Sequence, residues 1–201
     1  MRIVALLVAV CGTLLCDGIA AQVPTGDSPW TPLFDGRTLD GWKASDDPAA
    51  FSVREGAITC DGPRSHLFYV GAGAEPGFKD FELRADVRTR PGANSGIYFH
   101  TRWQDTGWPG QGFEIQVNNT QPPHDGYLEL KKTGSLYGIQ NVYKQLVRDN
   151  EWFTVTVTVR APFVQVRLNE TVVVDYREPA GPVPVGGLVI IGLCSDIQIE
   201  A

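Results

Sequence analysis

The sequence predicts an all-β fold of antiparallel sheets, and three observations carry that expectation. Apolar and polar residues alternate with period two in most segments, Gly-containing turns separate the alternating runs, and no segment shows an apolar helical stripe with caps. In Phe81-Glu82-Leu83-Arg84-Ala85-Asp86-Val87-Arg88 the apolar side chains fall on one face and the charged ones on the other. Phe153, Val155, Val157 and Val159 stand opposite Thr154, Thr156, Thr158 and Arg160 in the same way, and Val164, Val166 and Leu168 alternate with Gln165 and Arg167. Such runs of β-branched residues make half-buried antiparallel strands. Asp35-Gly36, Asp40-Gly41, Glu55-Gly56 and Asp61-Gly62 punctuate the N-terminal third, and Leu168-Asn169-Glu170-Thr171 reads as a hairpin. Many short strands between such turns indicate a sandwich or a barrel.

The first residues stand apart from this pattern. Arg2 gives a short positive region, Ile3–Leu15 is an apolar run, and Gly18-Ile19-Ala20-Ala21 precedes Gln22. That is the build of a secretory signal peptide over residues 1–21, cleaved after Ala20 or Ala21. The run is too short for a membrane span, which needs about 20 apolar residues. Cys16 closes it, but Thr13-Leu14-Leu15 matches a lipobox poorly, so ordinary cleavage is preferred to lipid anchoring. Residues 22–32 read as a linker and residues 33–201 as one domain, exported to the periplasm or the medium. No later segment has the length and apolarity of a membrane span, so the protein is not expected to be an integral membrane protein.

Among 201 residues, 43% are apolar, enough for one large sandwich core, and the formal charge is −6. Arg2 and Asp17 cancel, so loss of the leader leaves that charge unchanged. An acidic exported chain is a poor nucleic-acid binder, which needs basic patches, and suits a neutral ligand such as a sugar. Cys11 and Cys16 belong to the leader, leaving Cys60 and Cys194 as either a disulfide or two buried thiols.

Familiar catalytic motifs are mostly missing. His66, His100 and His124 have no compact ligand spacing, Gly71-Ala72-Gly73 precedes no βα unit, and Ser95 is not in a G-x-S-x-G elbow. Two strands are more informative. Gly96–Arg102 puts Ile97 and Phe99 on one face and Tyr98, His100 and Arg102 on the other; Gly112–Asn118 puts Phe113, Ile115 and Val117 opposite Glu114, Gln116 and Asn118. If the two pair, Tyr98, His100, Arg102, Glu114, Gln116 and Asn118 form one polar patch of stiff, directional donors and acceptors, unlike the Lys/Thr/Ser/Glu mixture of an ordinary solvated face. Trp103, Trp108, Tyr127 and Tyr137 lie in or beside the loop-rich stretch, where rings stack on sugar C–H faces or cover core.

The chain resembles the 3-keto-disaccharide hydrolase domain family. The resemblance rests on Leu33-Phe34-Asp35-Gly36-Arg37-Thr38-Leu39-Asp40-Gly41-Trp42, Gly62–Tyr69, Arg90–Phe99, Gly112–Asn119, Lys132–Tyr137, Asp149–Thr154 and Val174-Asp175-Tyr176, in order from Leu33 to about Pro184. It implies a concanavalin-like jelly-roll sandwich of two antiparallel sheets and cleavage of glycosides whose C3 hydroxyl has become a ketone. One departure is that the family's end carries a longer stretch with a His and an Asp, whereas Gly186–Ala201 has no His.

The chemistry fits independently. An ordinary glycosidase needs two carboxylates flanking the bond; the patch offers one clear carboxylate, Glu114, with Asp105 or Asp125 as candidates from loops. A C3 ketone acidifies the C2 proton, so one base, a donor to the developing enolate and an acid near the leaving group suffice. Glu114 and His100 are the expected catalytic acid or base; Asn94 and Arg102 are expected at the keto group; Tyr98, Gln116, Asn118, Tyr137 and Trp108 are expected to hold the sugar. No cofactor is indicated, and a catalytic metal is neither indicated nor ruled out. The expected partner is a small-molecule glycoside, and the alternative is a non-catalytic carbohydrate-binding module on the same fold.

Overall fold

A computed structural model describes residues 30–71, 77–123, 126–180, 188–192 and 197–200. The leader, most of the linker, His124, Asp125 and Cys194 lie outside the described residues. The strands are β1 Trp42–Ala44, β2 Phe51–Arg54, β3 Ala57–Cys60, β4 His66–Tyr69, β5 Phe81–Thr89, β6 Asn94–Thr101, β7 Phe113–Asn118, β8 Phe153–Arg160, β9 Phe163–Leu168, β10 Thr171–Arg177, β11 Leu188–Gly192 and β12 Ile197–Glu200. They form a five-stranded sheet in the order β1-β4-β11-β6-β7 and a seven-stranded sheet in the order β10-β9-β8-β5-β12-β3-β2. Every described strand pairing is antiparallel. The expected two-sheet sandwich is what the chain forms. Among the described residues no helix is long and apolar enough to cross a membrane.

The period-two runs explain the layers. Phe81, Leu83, Ala85 and Val87 of β5 pack with Phe153, Val155, Val157 and Val159 of β8 and Val164, Val166 and Leu168 of β9. Facing them across the core are Leu67 of β4, Ile97 and Phe99 of β6, and Ile115 and Val117 of β7. Burying one such Val, Leu, Ile or Phe side chain stabilises by about 1.5–3 kcal/mol, and this single seam holds the sheets together. The β9–β10 hairpin closes through Asn169 at φ +51°, whose side-chain oxygen also accepts the Thr154 N–H at 2.9 Å. Cys60, on β3, is disulfide-bonded, which selects the disulfide over the free thiol at this position.

The opening motif is a structural clasp. The Asp35 carboxylate accepts the N–H groups of Arg37 and Thr38, each at 2.7 Å, and the Trp42 indole N–H donates to the Leu33 carbonyl at 2.8 Å.

The connection from β7 to β8, residues 119–152, positions the site. Its segment 133–137 lies along the edge of β7: Thr133 N–H donates to Asn118 O, Gly134 N–H to Gln116 O, and Tyr137 N–H to Glu114 O at 2.9 Å. An otherwise open sheet edge is thereby covered. Gly134, at φ +91°, fits only because it has no side chain, since a Cβ there would lie 2.9 Å from Val173 and 3.0 Å from Leu168.

Candidate functional site

The five-stranded sheet has one face in the core and one face outward, and its register decides what the outward face carries. Tyr98 pairs with Glu114, Gly96 with Gln116 and Asn94 with Asn118 between β6 and β7. On the other side of β6, Ile190 pairs with Tyr98 and Gly192 with Gly96; beyond β11, Phe68 and His66 continue the two rows. One cross-sheet row therefore runs Lys43, Phe68, Ile190, Tyr98, Glu114, and the next runs His66, Gly192, Gly96, Gln116. Two adjacent glycines in the second row lay a floor without side chains across the middle of the sheet.

Glu114 lies over that floor. A Cβ built on Gly96 would sit 2.9 Å from the Glu114 Cγ and 3.0 Å from its Cδ, so glycine at position 96 is what lets the carboxyl fold across β6. Burial pushes the Glu114 carboxyl up to about 7, against a hydrogen bond from the Tyr98 hydroxyl that favours the anion; Glu129 adds repulsion and Lys131 offsets part of it. Tyr98 is itself buried, and desolvation with the neighbouring Glu114 charge raises its hydroxyl far above the usual range.

A second carboxylate faces Glu114 from the β7–β8 connection. Glu129 is 2% exposed and takes four donors: the Tyr127 and Tyr137 hydroxyls on Oε2, the latter at 2.7 Å, and the Lys131 N–H and ammonium on Oε1 at 2.8 and 3.2 Å. Burial opposes its ionisation, but the hydrogen bonds from Tyr127, Lys131 and Tyr137 outweigh it and hold Glu129 below the usual carboxylate range. Lys131 also sits 4.3 Å above the Tyr137 ring. Two carboxyls in one site are thus driven to opposite protonation states, a pattern that separates proton donor from fixed charge.

Gln116 donates to Asn94 Oδ1 at 2.6 Å, which sets both side chains on the outward face. The Gln116 oxygen is buried and without a hydrogen-bond partner, an acceptor awaiting a donor. Asn118 is differently employed: its Nδ2 donates to the carbonyls of Glu129 and Lys131 at 3.1 and 3.0 Å, and its oxygen accepts Gln121 N–H. It positions Glu129 rather than offering groups to a ligand.

His100 is not on the outward face. It has φ +58°, and β11 meets β6 with a register shift between Leu188/Thr101 and Ile190/Tyr98. This β-bulge breaks the alternation that the sequence pattern assumed and turns the ring to the other side. There it contacts Phe81, Phe99 and Phe113, and its Nε2–H donates to Lys79 O at 3.0 Å. Gly112 makes the bulge possible, since a Cβ there would lie 2.9 Å from His100 O. The same bulge ends β6 at Thr101, so Arg102 sits past the strand, exposed at the rim.

The opposite half of the face is aromatic. Trp103 packs on Phe68 at 4.8 Å between ring centroids, with the Lys43 ammonium 3.8 Å from its centroid. Trp108, 51% exposed, stands edge-on to His66 at 5.6 Å, and His66 meets Tyr98 at 5.9 Å. Sequence reasoning passed over Glu129, Lys131 and His66. Tyr127, Glu129 and Lys131 did carry a signal, because they alternate with the exposed Leu128 and Leu130. Among the described residues no three His, Cys, Asp or Glu side chains converge as a metal-binding group.

A concanavalin-like sandwich with a polar and aromatic outward face on one sheet suits a carbohydrate-active scaffold. The chain belongs to the 3-keto-alpha-glucoside-1,2-lyase-like domain family, whose model matches residues 29–188. A 3-keto-disaccharide hydrolase of Bacteroides thetaiotaomicron is 28% identical over 85 residues, which span 39% of this chain and 29% of that relative's length. The crystal structure of a candidate glycosyl hydrolase from Parabacteroides distasonis superposes with a TM-score of 0.68 at 21% identity, over 85% of this chain and 90% of that one. The Bacillus licheniformis β-glucanase has a TM-score of 0.54 at 9% identity, over 84% and 93% of the chains. The carbohydrate-binding module CBM66 of Bacillus subtilis has one of 0.52 at 12%, over 80% and 91%. At these identities the solved structures speak for the fold alone.

Proposed function

We propose that this protein, acting after export, cleaves glycosides that carry a ketone at C3, by removing the C2 proton, expelling the C1 substituent and adding water back. The observation that carries the reading is Glu114: a carboxyl laid over Gly96 on the outward face, hydrogen-bonded by Tyr98 and poised at about 7. A group with that value exchanges protons at neutral pH, as general acid–base catalysis requires. Family membership supports this substrate class. Gln116, Asn94 and Tyr137 would receive sugar hydroxyls, Arg102 would approach the keto oxygen from the rim, and Trp108 would stack on the ring. Glu129, held ionised, would orient Tyr137 and keep negative potential beside Glu114.

The test is to incubate the protein with 3-keto-glucosides and their unoxidised parents and follow aglycone release. Release from the keto forms alone is expected, and for alkyl aglycones it should be lost in Glu114→Gln. Sugar binding without release from any of them would establish the carbohydrate-binding module instead.

A further inference from the structure

We infer that His66, oriented by Asp46, is the base that removes the C2 proton, facing Glu114 as the acid across the Gly192–Gly96 floor. The assignment rests on the reading of the site as a 3-keto-glycoside-cleaving centre.

His66 shares its cross-sheet row with Gly192, Gly96 and Gln116, so its side chain projects outward like theirs. Its neighbour Leu67 enters the core between the sheets, and Phe68 returns to the outward cluster with Tyr98, which confirms the alternation. Glu114 is folded back over Gly96, and β4 is two strands from β6, roughly 10 Å at the usual strand spacing. The row between them, Gly192 and Gly96, carries no side chain of its own, and the Tyr98 ring borders it beside His66.

The imidazole is fully buried, yet neither ring nitrogen has a hydrogen-bond partner. Buried polar atoms in that state are costly and call for an explanation. Nδ1 faces Asp46 Oδ2 at 3.7 Å, so the carboxylate favours the tautomer with hydrogen on Nδ1 and the lone pair on Nε2, as a base needs. Asp46 is held for this purpose by several groups. It adopts φ +55°, rare for a residue with a side chain, and its Oδ1 accepts the Gly107 N–H at 3.1 Å, with Arg64 at 3.5 Å. The charged and titratable groups around His66 are Asp46 and Arg64, with the Tyr98 ring alongside. Burial keeps the imidazole neutral near pH 7, against the pull of Asp46, while Asp46 stays ionised through the Gly107 and Ser45 hydrogen bonds. Trp108, half exposed, covers the ring, and a side-chain rotation of an exposed residue is a fast event.

The step balances without any oxidant. Nε2 takes the C2 proton, and the C–H electron pair becomes the C1=C2 double bond conjugated to the C3 ketone. The C1–O bond breaks, its pair goes to the glycosidic oxygen, and Glu114 protonates that oxygen. Water addition reverses the roles: the Glu114 carboxylate takes a proton from water as its oxygen bonds C1, and the imidazolium returns its proton to C2.

Hydrogen–deuterium exchange at C2 of methyl 3-keto-glucoside, followed by NMR in D2O alongside release from its 4-nitrophenyl counterpart, separates the roles. His66→Gln is expected to lose both C2 exchange and release by about 100-fold or more. Glu114→Gln is expected to keep C2 exchange within a few-fold, to lose methanol release, and to recover with nitrophenolate, which needs no acid. Asp46→Asn retains the imidazole; it should lower exchange at least tenfold and move the acid limb of the pH profile to lower pH. If His66→Gln fails to fold, Asp46→Asn carries the test. Normal exchange in His66→Gln, or an unchanged profile in Asp46→Asn, would overturn the assignment. Absence of both exchange and release in the unmodified protein would instead overturn the proposed function itself.

Discussion

Gly96→Ala is the most local perturbation the site allows. Gly96 has an ordinary strand backbone, so alanine introduces no strain of its own, and leaving glycine stabilises a strand interior by roughly 0.5–1 kcal/mol. The new Cβ meets Glu114 Cγ at 2.9 Å and its Oε1 closer still, and ordinary contact starts at 3.4 Å, so Cγ must withdraw by at least 0.5 Å and the carboxyl oxygen by more. The obstructing atoms belong to a flexible side chain, so relief comes from moving the carboxyl rather than the sheet. Overpacking costs about 1–3 kcal/mol when nothing can move, and here it is largely offset. The expected melting temperature is within a few degrees of the parent. The catalytic cost is larger, because a misplacement of about 1 Å can lower turnover about 100-fold. Aglycone release from a 3-keto-glucoside should drop about 10- to 100-fold with KM little changed. A well-folded Gly96→Ala protein with parental turnover would refute the claim that Glu114 acts from over the glycine floor.

Three other outcomes follow. Gly112→Ala, at φ +99° and with Phe99 and His100 carbonyls in the way, should destabilise by roughly 3 kcal/mol or more in chemical denaturation, because here the obstacle is backbone. Asn118→Ala should cost about 2–4 kcal/mol by orphaning the Glu129 and Lys131 carbonyls and the Gln121 N–H, and should weaken sugar binding through the displaced Glu129. For Glu114 the folded value near 7 exceeds the ordinary carboxyl value of 4.5, so the neutral form is the one the fold prefers. Its stabilising contribution is complete below about 4.5 and disappears as pH rises through about 7. Denaturation midpoints of Glu114→Gln and parent, compared from pH 4 to 8, should diverge in favour of the variant by on the order of 2–3 kcal/mol.

The fold was legible because both sheets bury one face of each strand, which writes period two into runs such as Phe81–Val87 and Phe153–Val159. The partnership of β6 with β7 was legible for the same reason, and it brought Tyr98, Glu114, Gln116 and Asn94 together. His100 was misplaced because alternation assumes a regular strand, and a bulge at a positive-φ residue breaks it; Arg102 lies past the strand end, at an exposed position. Nothing in the local pattern Ile97-Tyr98-Phe99-His100 announces that break; the clue lies in Gly112, on the neighbouring strand's approach. Glu129 and His66 were harder still, since their place depends on contacts with Asn118 and Asp46, far apart in the chain.

The two sheets divide the work in a way that makes the site tolerant of chemistry the core would reject. The seven-stranded sheet and the inner face of the smaller one hold the main apolar seam, so most of the apolar burial lies away from the outward face. That face can then keep groups that cost free energy: a carboxyl poised near 7, an imidazole with no hydrogen-bond partner, an orphaned Gln116 oxygen. Each is fixed by a neighbour, Gly96 under Glu114, Asp46 behind His66, Asn94 beside Gln116. Unsatisfied groups collected on a rigid platform are preorganised, and a ligand that supplies their missing partners gains affinity without a reorganisation cost.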